Sequence, residues 1–189
     1  MISLCMDSAY KNLILGVYKD KELLAGVSIE AFKKQSETIF VELNRILEEA
    51  KLDYADIDRV VITDGPGSYT GIRIAMTIAK VLCTTMHKEL IVFQRCSYTL
   101  ERADGQCDLD ARSKRAYVAH CENGKIIGQT TILNVEELDD FLNSCPGTLF
   151  GDGYLIGKET KQPDYLKNFI ELEDMYRKLT IYMPWFHSI

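Results

Sequence analysis

The residues best placed to do chemistry are Gly65-Pro66-Gly67-Ser68-Tyr69-Thr70-Gly71-Ile72-Arg73. Glycine admits positive φ and close approach of the backbone, and Pro66 fixes one φ between two such positions. A run of this kind is either a tight structural elbow or a place where a ligand or another chain meets the backbone. Phosphate chemistry demands particular spacings, and this run meets none of them. No Gly-Lys-Ser/Thr closes it as a Walker loop. The last glycine, Gly71, comes one residue late for a dinucleotide fingerprint, and the Gly-x-Ser-x-Gly of a nucleophile elbow is missing. Ser68 or Thr70 has the hydroxyl to cap a helix that follows.

Carboxylates give the second set of candidates. Asp7 closes an apolar stretch and could hold a metal or a water near phosphates; Asp108 and Asp110, as Asp-x-Asp, could do likewise. The alternative for each is a turn former or a solvated strand end. Arg112, Lys114 and Arg115 form a basic cluster beside Asp110, either a solvated hairpin edge or a contact for an anion or a partner. The histidines, His87, His120 and His187, lie far apart with no His-x-x-x-His pair, which argues against a metal site built on imidazoles. His120, between strand-like neighbours, reads as structural. No nucleophile, base and oxyanion set can be assembled.

The elements that must position these residues follow from hydrophobic period. Ile2–Met6, Leu13–Tyr18 and Leu23–Ile29 read as three strands, with Lys19-Asp20-Lys21-Glu22 as a turn. From Ser36, Ile39, Phe40, Leu43, Ile46, Leu47 and Ala50 recur at helical steps. Asp58–Thr63 is a strand feeding the glycine run, Ile72–Met86 a helix, and Glu89–Phe93 a strand. The second half repeats the order: strands at Cys107–Ala111, Ala116–Cys121 and Lys125–Leu133, a hairpin turn at Glu122-Asn123-Gly124-Lys125, a helix at Val135–Asn143 and a strand at Thr148–Phe150. No element is assigned from Tyr165 to Ile189. The pattern predicts an α/β protein of two related lobes, residues 1–94 and a smaller, trimmed 95–189.

The helix after the glycine run is unusually apolar. Ile72, Ala75, Met76, Ala79, Leu82, Cys83 and Met86 form one stripe, and Ile74, Ile78 and Val81 a second. Together they cover roughly 220°, about twice what a surface helix needs. Either the helix is buried on both sides within its own fold, or its extra face packs against another chain.

Composition bounds the rest. The chain has 189 residues, enough to bury a real core, with 47% hydrophobic and 26% charged residues. A net charge of −6 argues against a free-standing nucleic-acid binder while allowing a local basic patch. Cysteines 5, 83, 96, 107, 121 and 145 form no Cys-x-x-Cys pair and fall mostly in apolar segments, as small hydrophobes do. Ser3, Asp7 and Lys11 interrupt the start too early for a signal peptide, and no apolar run reaches membrane-spanning length. The expectation is a cytoplasmic protein.

These residues resemble the TsaB (YeaZ) family, partner proteins in making N6-threonylcarbamoyladenosine in tRNA. The likeness rests on Gly65, Pro66, Gly67, Ser68, Tyr69, Thr70, Gly71 and Arg73, on Ser36-Glu37, on Asp110-Ala111-Arg112 followed by Tyr117, and on Gly151-Asp152-Gly153. The chain departs from the family pattern at Gln35, where a histidine is usual, at Asp7-Ser8-Ala9 in place of Asp-Thr-Ser, and at Trp185-Phe186-His187. The resemblance implies an actin-like (ASKHA, ribonuclease H-like) two-lobed fold with mixed sheets and flanking helices. It implies a non-catalytic scaffold with no cofactor or metal, a TsaD-like catalytic paralogue and a TsaE-like ATPase as partners, tRNA met only through the complex, and no membrane. A homodimer when alone is the further expectation. The partner surface it suggests is the outward stripe of the second helix, Ile74, Ile78 and Val81, with Ile39 and Leu43 from the first. The rival readings are an active ATPase or phosphotransferase of the same fold, holding nucleotide and magnesium with Asp7 and the glycine run, and, more remotely, a metallopeptidase.

Overall fold

The computed structural model describes residues 1–31, 34–101, 103–123, 125–145, 147–175 and 177–179, the side chains of 175 and 177–179 excepted. Strand β1 (Ile2–Asp7) is central because its residues are apolar on both faces, the pattern of a strand covered on both sides. It pairs antiparallel with β2 (Asn12–Lys19), which pairs antiparallel with β3 (Glu22–Glu30). On its other side β4 (Arg59–Thr63) runs parallel, followed by β5 (Glu89–Phe93).

Two helices cover one face of this sheet. Helix α1 (Gln35–Ala50) ends at Lys51 in the left-handed conformation, and α2 (Tyr69–Thr85) starts at the glycine run. Leu4 and Met6 of β1 meet Ile39, Leu43, Ile46 and Leu47 of α1 and Ala75, Ile78, Ala79 and Cys83 of α2 in one core. The alternate residue Cys5 points to the other face, with Ile14, Tyr18, Val61 and Phe93. That face is closed by α3 (Arg95–Leu100), through Tyr98.

The second sheet is built on the same plan. Strands β6 (Gly105–Arg112), β7 (Arg115–Glu122) and β8 (Lys125–Asn134) form an antiparallel meander. A short helix, α4 (Leu138–Ser144), then leads to β9 (Thr148–Gly151), parallel to β6. The order β9-β6-β7-β8 therefore matches β4-β1-β2-β3. This is an actin-like, two-lobed α/β fold with mixed sheets.

The chain does not divide into the contiguous halves 1–94 and 95–189 that the sequence suggests. Helix α5 (Tyr165–Glu171) returns to the first sheet, where Phe169 and Ile170 pack on Tyr98 and Ile91. Strand β10 (Arg177–Leu179) then pairs antiparallel with β5 at its edge. The sequence carries no marker of this return, because α3, α5 and β10 are too short for a periodic signal. Of the other sequence expectations, Gly124, His187 and Trp185–His187 lie outside the described residues.

Candidate functional site

The glycine run is an elbow fitted against the turn between β1 and β2. Gly65 has φ +105° and is joined to Pro66 by a cis peptide bond. A Cβ at Gly71 would stand 2.0 Å from the carbonyl oxygen of Ser8, and one at Gly67 2.4 Å from that of Ala9. Hydrogen bonds fix the contact: the Ser68 amide donates to the Ala9 carbonyl at 2.7 Å, and the Ser8 hydroxyl to the Gly71 carbonyl at 2.7 Å. Ser68, not Thr70, caps α2, accepting from the Gly71 amide at 3.3 Å. The close backbone approach is thus made to the protein's own β1–β2 turn.

Asp7 is not presented to solvent. Its carboxylate forms an ion pair with Arg95, both side chains fully buried, and accepts from the Thr63 hydroxyl and the Ala9 amide, each at 2.8 Å. Burial alone would pull the Arg95 guanidinium down, but the facing Asp7 carboxylate holds it above the ordinary arginine range. Arg95 also stacks beneath Tyr10, 4.9 Å from the ring centroid. The expectation that Asp7 holds a metal or nucleotide-bound magnesium is corrected: its charge is already spent on an internal cation. Sequence reading missed Arg95. Its one local signal is a charge set inside an otherwise uncharged stretch, residues 90–100.

A cleft of about 800 Å³ opens between the lobes. Lys11, Gln35 and the start of α2 line it from the first lobe, and Asp110, Arg112 and Tyr117 from the second. Across one end runs a polar contact between lobes. Asp152 accepts from the Tyr10 hydroxyl, from Lys11 Nζ at 3.4 Å and from the Asp110 amide at 2.7 Å. Lys11 also reaches the Tyr154 hydroxyl at 3.1 Å, which donates to Asp110 at 2.9 Å. Burial and the Asp152 carboxylate push the Tyr10 phenol well above the usual tyrosine range.

The Asp-x-Asp pair does not form a joint ligand set. Asp110 is engaged by Tyr154 and by the Arg112 amide at 2.6 Å, while Asp108 is 1% exposed within the second lobe. Among the described residues no three His, Cys, Asp or Glu side chains gather where a metal could be held. Arg112, Lys114 and Arg115 are exposed at the β6–β7 turn, where residues 112, 113 and 114 all take positive φ. His120 is structural, its ring nitrogens 3.1 Å from the Gly105 carbonyl and 2.9 Å from Glu122.

The outward stripe differs from the one expected. Ile39 and Leu43 are fully buried and Ile78 is 8% exposed, all three in the core against the sheet. Ile74 is half-buried at its margin, and Val81, 55% exposed, faces out. On α1 the exposed apolar residues are Phe40 and Val41. The apolar arc on α2 is so wide that period could not fix its phase; the sheet selects Gly71, Ala75, Ile78, Ala79 and Cys83 as its centre.

Two lobes of matching topology around a cleft define an actin-like protein, and the comparisons with known proteins agree. A family model described as "TsaD: tRNA N6-adenosine threonylcarbamoyltransferase" matches residues 27–148. The chain belongs to that family. It is 28% identical over 102 residues to the tRNA threonylcarbamoyladenosine biosynthesis protein TsaB of Buchnera aphidicola subsp. Schizaphis graminum, covering 54% of this chain and 48% of that one. Its fold is similar to that of YeaZ from Pseudomonas aeruginosa (TM-score 0.63, 18% identity, 71% of this chain and 68% of that one). It is also similar to a Pseudomonas aeruginosa protein described as resembling the peptidase YeaZ (TM-score 0.75, 16% identity, 92% and 90%). The chain spans about half or less of the length of the first curated relatives it matches. No helix among the described residues is long and apolar enough to cross a membrane.

Proposed function

We propose that this chain takes part in forming N6-threonylcarbamoyladenosine on tRNA as a scaffold for a TsaD-like catalytic paralogue, without chemistry of its own. Family membership and the names of the curated relatives support the pathway. The observation that carries the scaffold reading is the Asp7–Arg95 pair. In an actin-like phosphotransferase the carboxylate ending the first strand would face the cleft and a metal; here it is buried against a guanidinium. The glycine run, likewise, spends its backbone proximity on Ser8 and Ala9.

The partner surface is the outer side of α1 and α2, which lie on the same face of the first sheet. Phe40, Val41 and Val81 are exposed there, with Ile74 at the margin. Exposed large apolar side chains on two adjacent helices are what a partner would cover. A TsaE-like ATPase completes the assembly, tRNA meets the chain only through it, and the setting is the cytoplasm.

Reconstitution tests this. The TsaD-like paralogue, the TsaE-like ATPase and tRNA are assayed for modification with and without this chain, and the chain alone is titrated with ATP and magnesium by calorimetry. Modification that depends on the chain, with no turnover by the chain alone, is the expected result. Micromolar ATP binding with turnover by the isolated chain would instead establish the phosphotransferase reading.

A further inference from the structure

We propose that Asp152 latches the two lobes together, and that loss of a proton from the neighbouring Asp108 releases the latch. Asp152 follows β9 in the second lobe, yet two of its partners, Tyr10 and Lys11, stand on the β1–β2 turn of the first. Its third partner, the Asp110 amide, belongs to its own lobe. One carboxylate therefore ties both lobes at one end of the cleft, with the Tyr154 hydroxyl bridging Lys11 and Asp110 beside it.

Asp108 neighbours Asp152 through the backbone, and its carboxyl feels the Asp152 charge. The Asp152 amide donates to the Asp108 carbonyl at 2.8 Å, and a Cβ on Gly151 would lie 3.1 Å from Asp108 Oδ1. Among the described residues neither carboxyl oxygen of Asp108 has a hydrogen-bond partner of good geometry, though the Asp152 amide and its own amide are near enough to draw it down somewhat, and across the ladder from it stands the apolar Val118. Asp152 is the one charged group whose field raises it; Cys107 is its titratable neighbour on β6. A buried carboxyl without a partner keeps its proton, since ionisation there has neither water nor a cation to support it. In that neutral form it tolerates the Asp152 anion. Burial first, and then the Asp152 charge, push Asp108 up to about 7, so ionisation falls near neutrality. Two neighbouring, buried carboxyl groups would then both carry charge. The relief open to them is for Asp152 to turn to water, leaving Tyr10 and Lys11.

The test uses the intact chain and amide hydrogen exchange at Asp110, whose N–H donates to Asp152. With the intrinsic base catalysis of exchange divided out, protection at this amide should fall about tenfold between pH 6 and pH 8, the effect of one group titrating near the middle of that range. Asp108→Asn should hold protection level across the same range. Level protection in the native chain, or an equal fall in Asp108→Asn, overturns the proposal. Should that variant not fold, the Asp108 carboxyl carbon is titrated by NMR in the native chain. A midpoint near 7 with a simultaneous shift at Tyr10 supports the latch, and a midpoint near the ordinary value of about 4 overturns it.

Discussion

Arg95 pairs with Asp7 across 88 residues of sequence, and neither side chain touches solvent. The pair joins the end of β1 to the first residue of α3, and the Arg95 amide also donates to the Gly65 carbonyl at 2.7 Å. A buried charge stripped of its partner is costly, whereas an apolar pair of similar size is often tolerated. Asp7→Asn should therefore destabilise the fold by about 3–5 kcal/mol. The double variant Asp7→Asn, Arg95→Met should recover part of that loss. Urea unfolding of the single and double variants measures both; a double variant as unstable as the sum of its singles would refute the pairing as the cause.

Ile78 and Val81 are three residues apart on α2, only about 60° round the helix, yet Ile78 is 8% exposed and Val81 55%. Ile78→Glu places a carboxylate in the core and should cost more than about 4 kcal/mol, leaving little folded protein. Val81→Glu should change stability by no more than about 0.5 kcal/mol, yet weaken binding to the TsaD-like partner tenfold or more. Circular dichroism separates the two effects on folding, and calorimetry with the partner reads the second. Unchanged binding by a folded Val81→Glu would move the partner surface elsewhere.

Gly71→Ala is a substitution that ordinarily stabilises a helix by about 1 kcal/mol. Here the added methyl would stand 2.0 Å from the Ser8 carbonyl oxygen, forcing the elbow off the β1–β2 turn. The expected result is a loss of stability of about 1–3 kcal/mol, the usual range for overpacking, seen as a lowered unfolding temperature. A gain would show that the contact yields without strain.

Asp108 should also shape stability against pH. Its carboxyl is raised in the folded chain to about 7, so the folded state binds the extra proton. That contribution is complete below the unfolded value of about 4 and is lost as pH climbs through 7. Asp108→Asn should match the native chain near pH 4 and exceed it by a few kcal/mol at pH 8. Chemical denaturation at the two pH values decides; an equal gap at both would assign the effect to packing.

Much of the architecture was legible in residue patterns. The alternation and apolar runs of β1 to β9 and the helical spacing of α1 identify those elements to within a few residues, and the repeated order of strands predicts two matching sheets. The elbow was legible too, since glycines with a proline have few other uses. What was not legible depends on distance along the chain. Nothing near Asp7 announces Arg95, and nothing in Tyr165–Glu171 says that it belongs to the first sheet. The facing of α2 was hidden for a different reason. Ile74, Ile78 and Val81 are equally apolar, so only the position of the sheet distinguishes the buried one from the exposed one.

The return of α5 and β10 to the first sheet also bears on how the molecule is made. Synthesis delivers β1 to β5 first, yet the face of that sheet carrying Cys5, Val61 and Phe93 is closed by Tyr98 of α3 together with residues after 164. Until those residues emerge, the first lobe is an open sheet with a bare apolar face and an unpaired edge at β5, the kind of surface that nascent chains lose to aggregation. The second lobe is an insertion that must be completed before the first can be sealed. Cutting the chain near residue 94 would strip the first lobe of Tyr98, Phe169 and Ile170 on that face and of β10 at its edge.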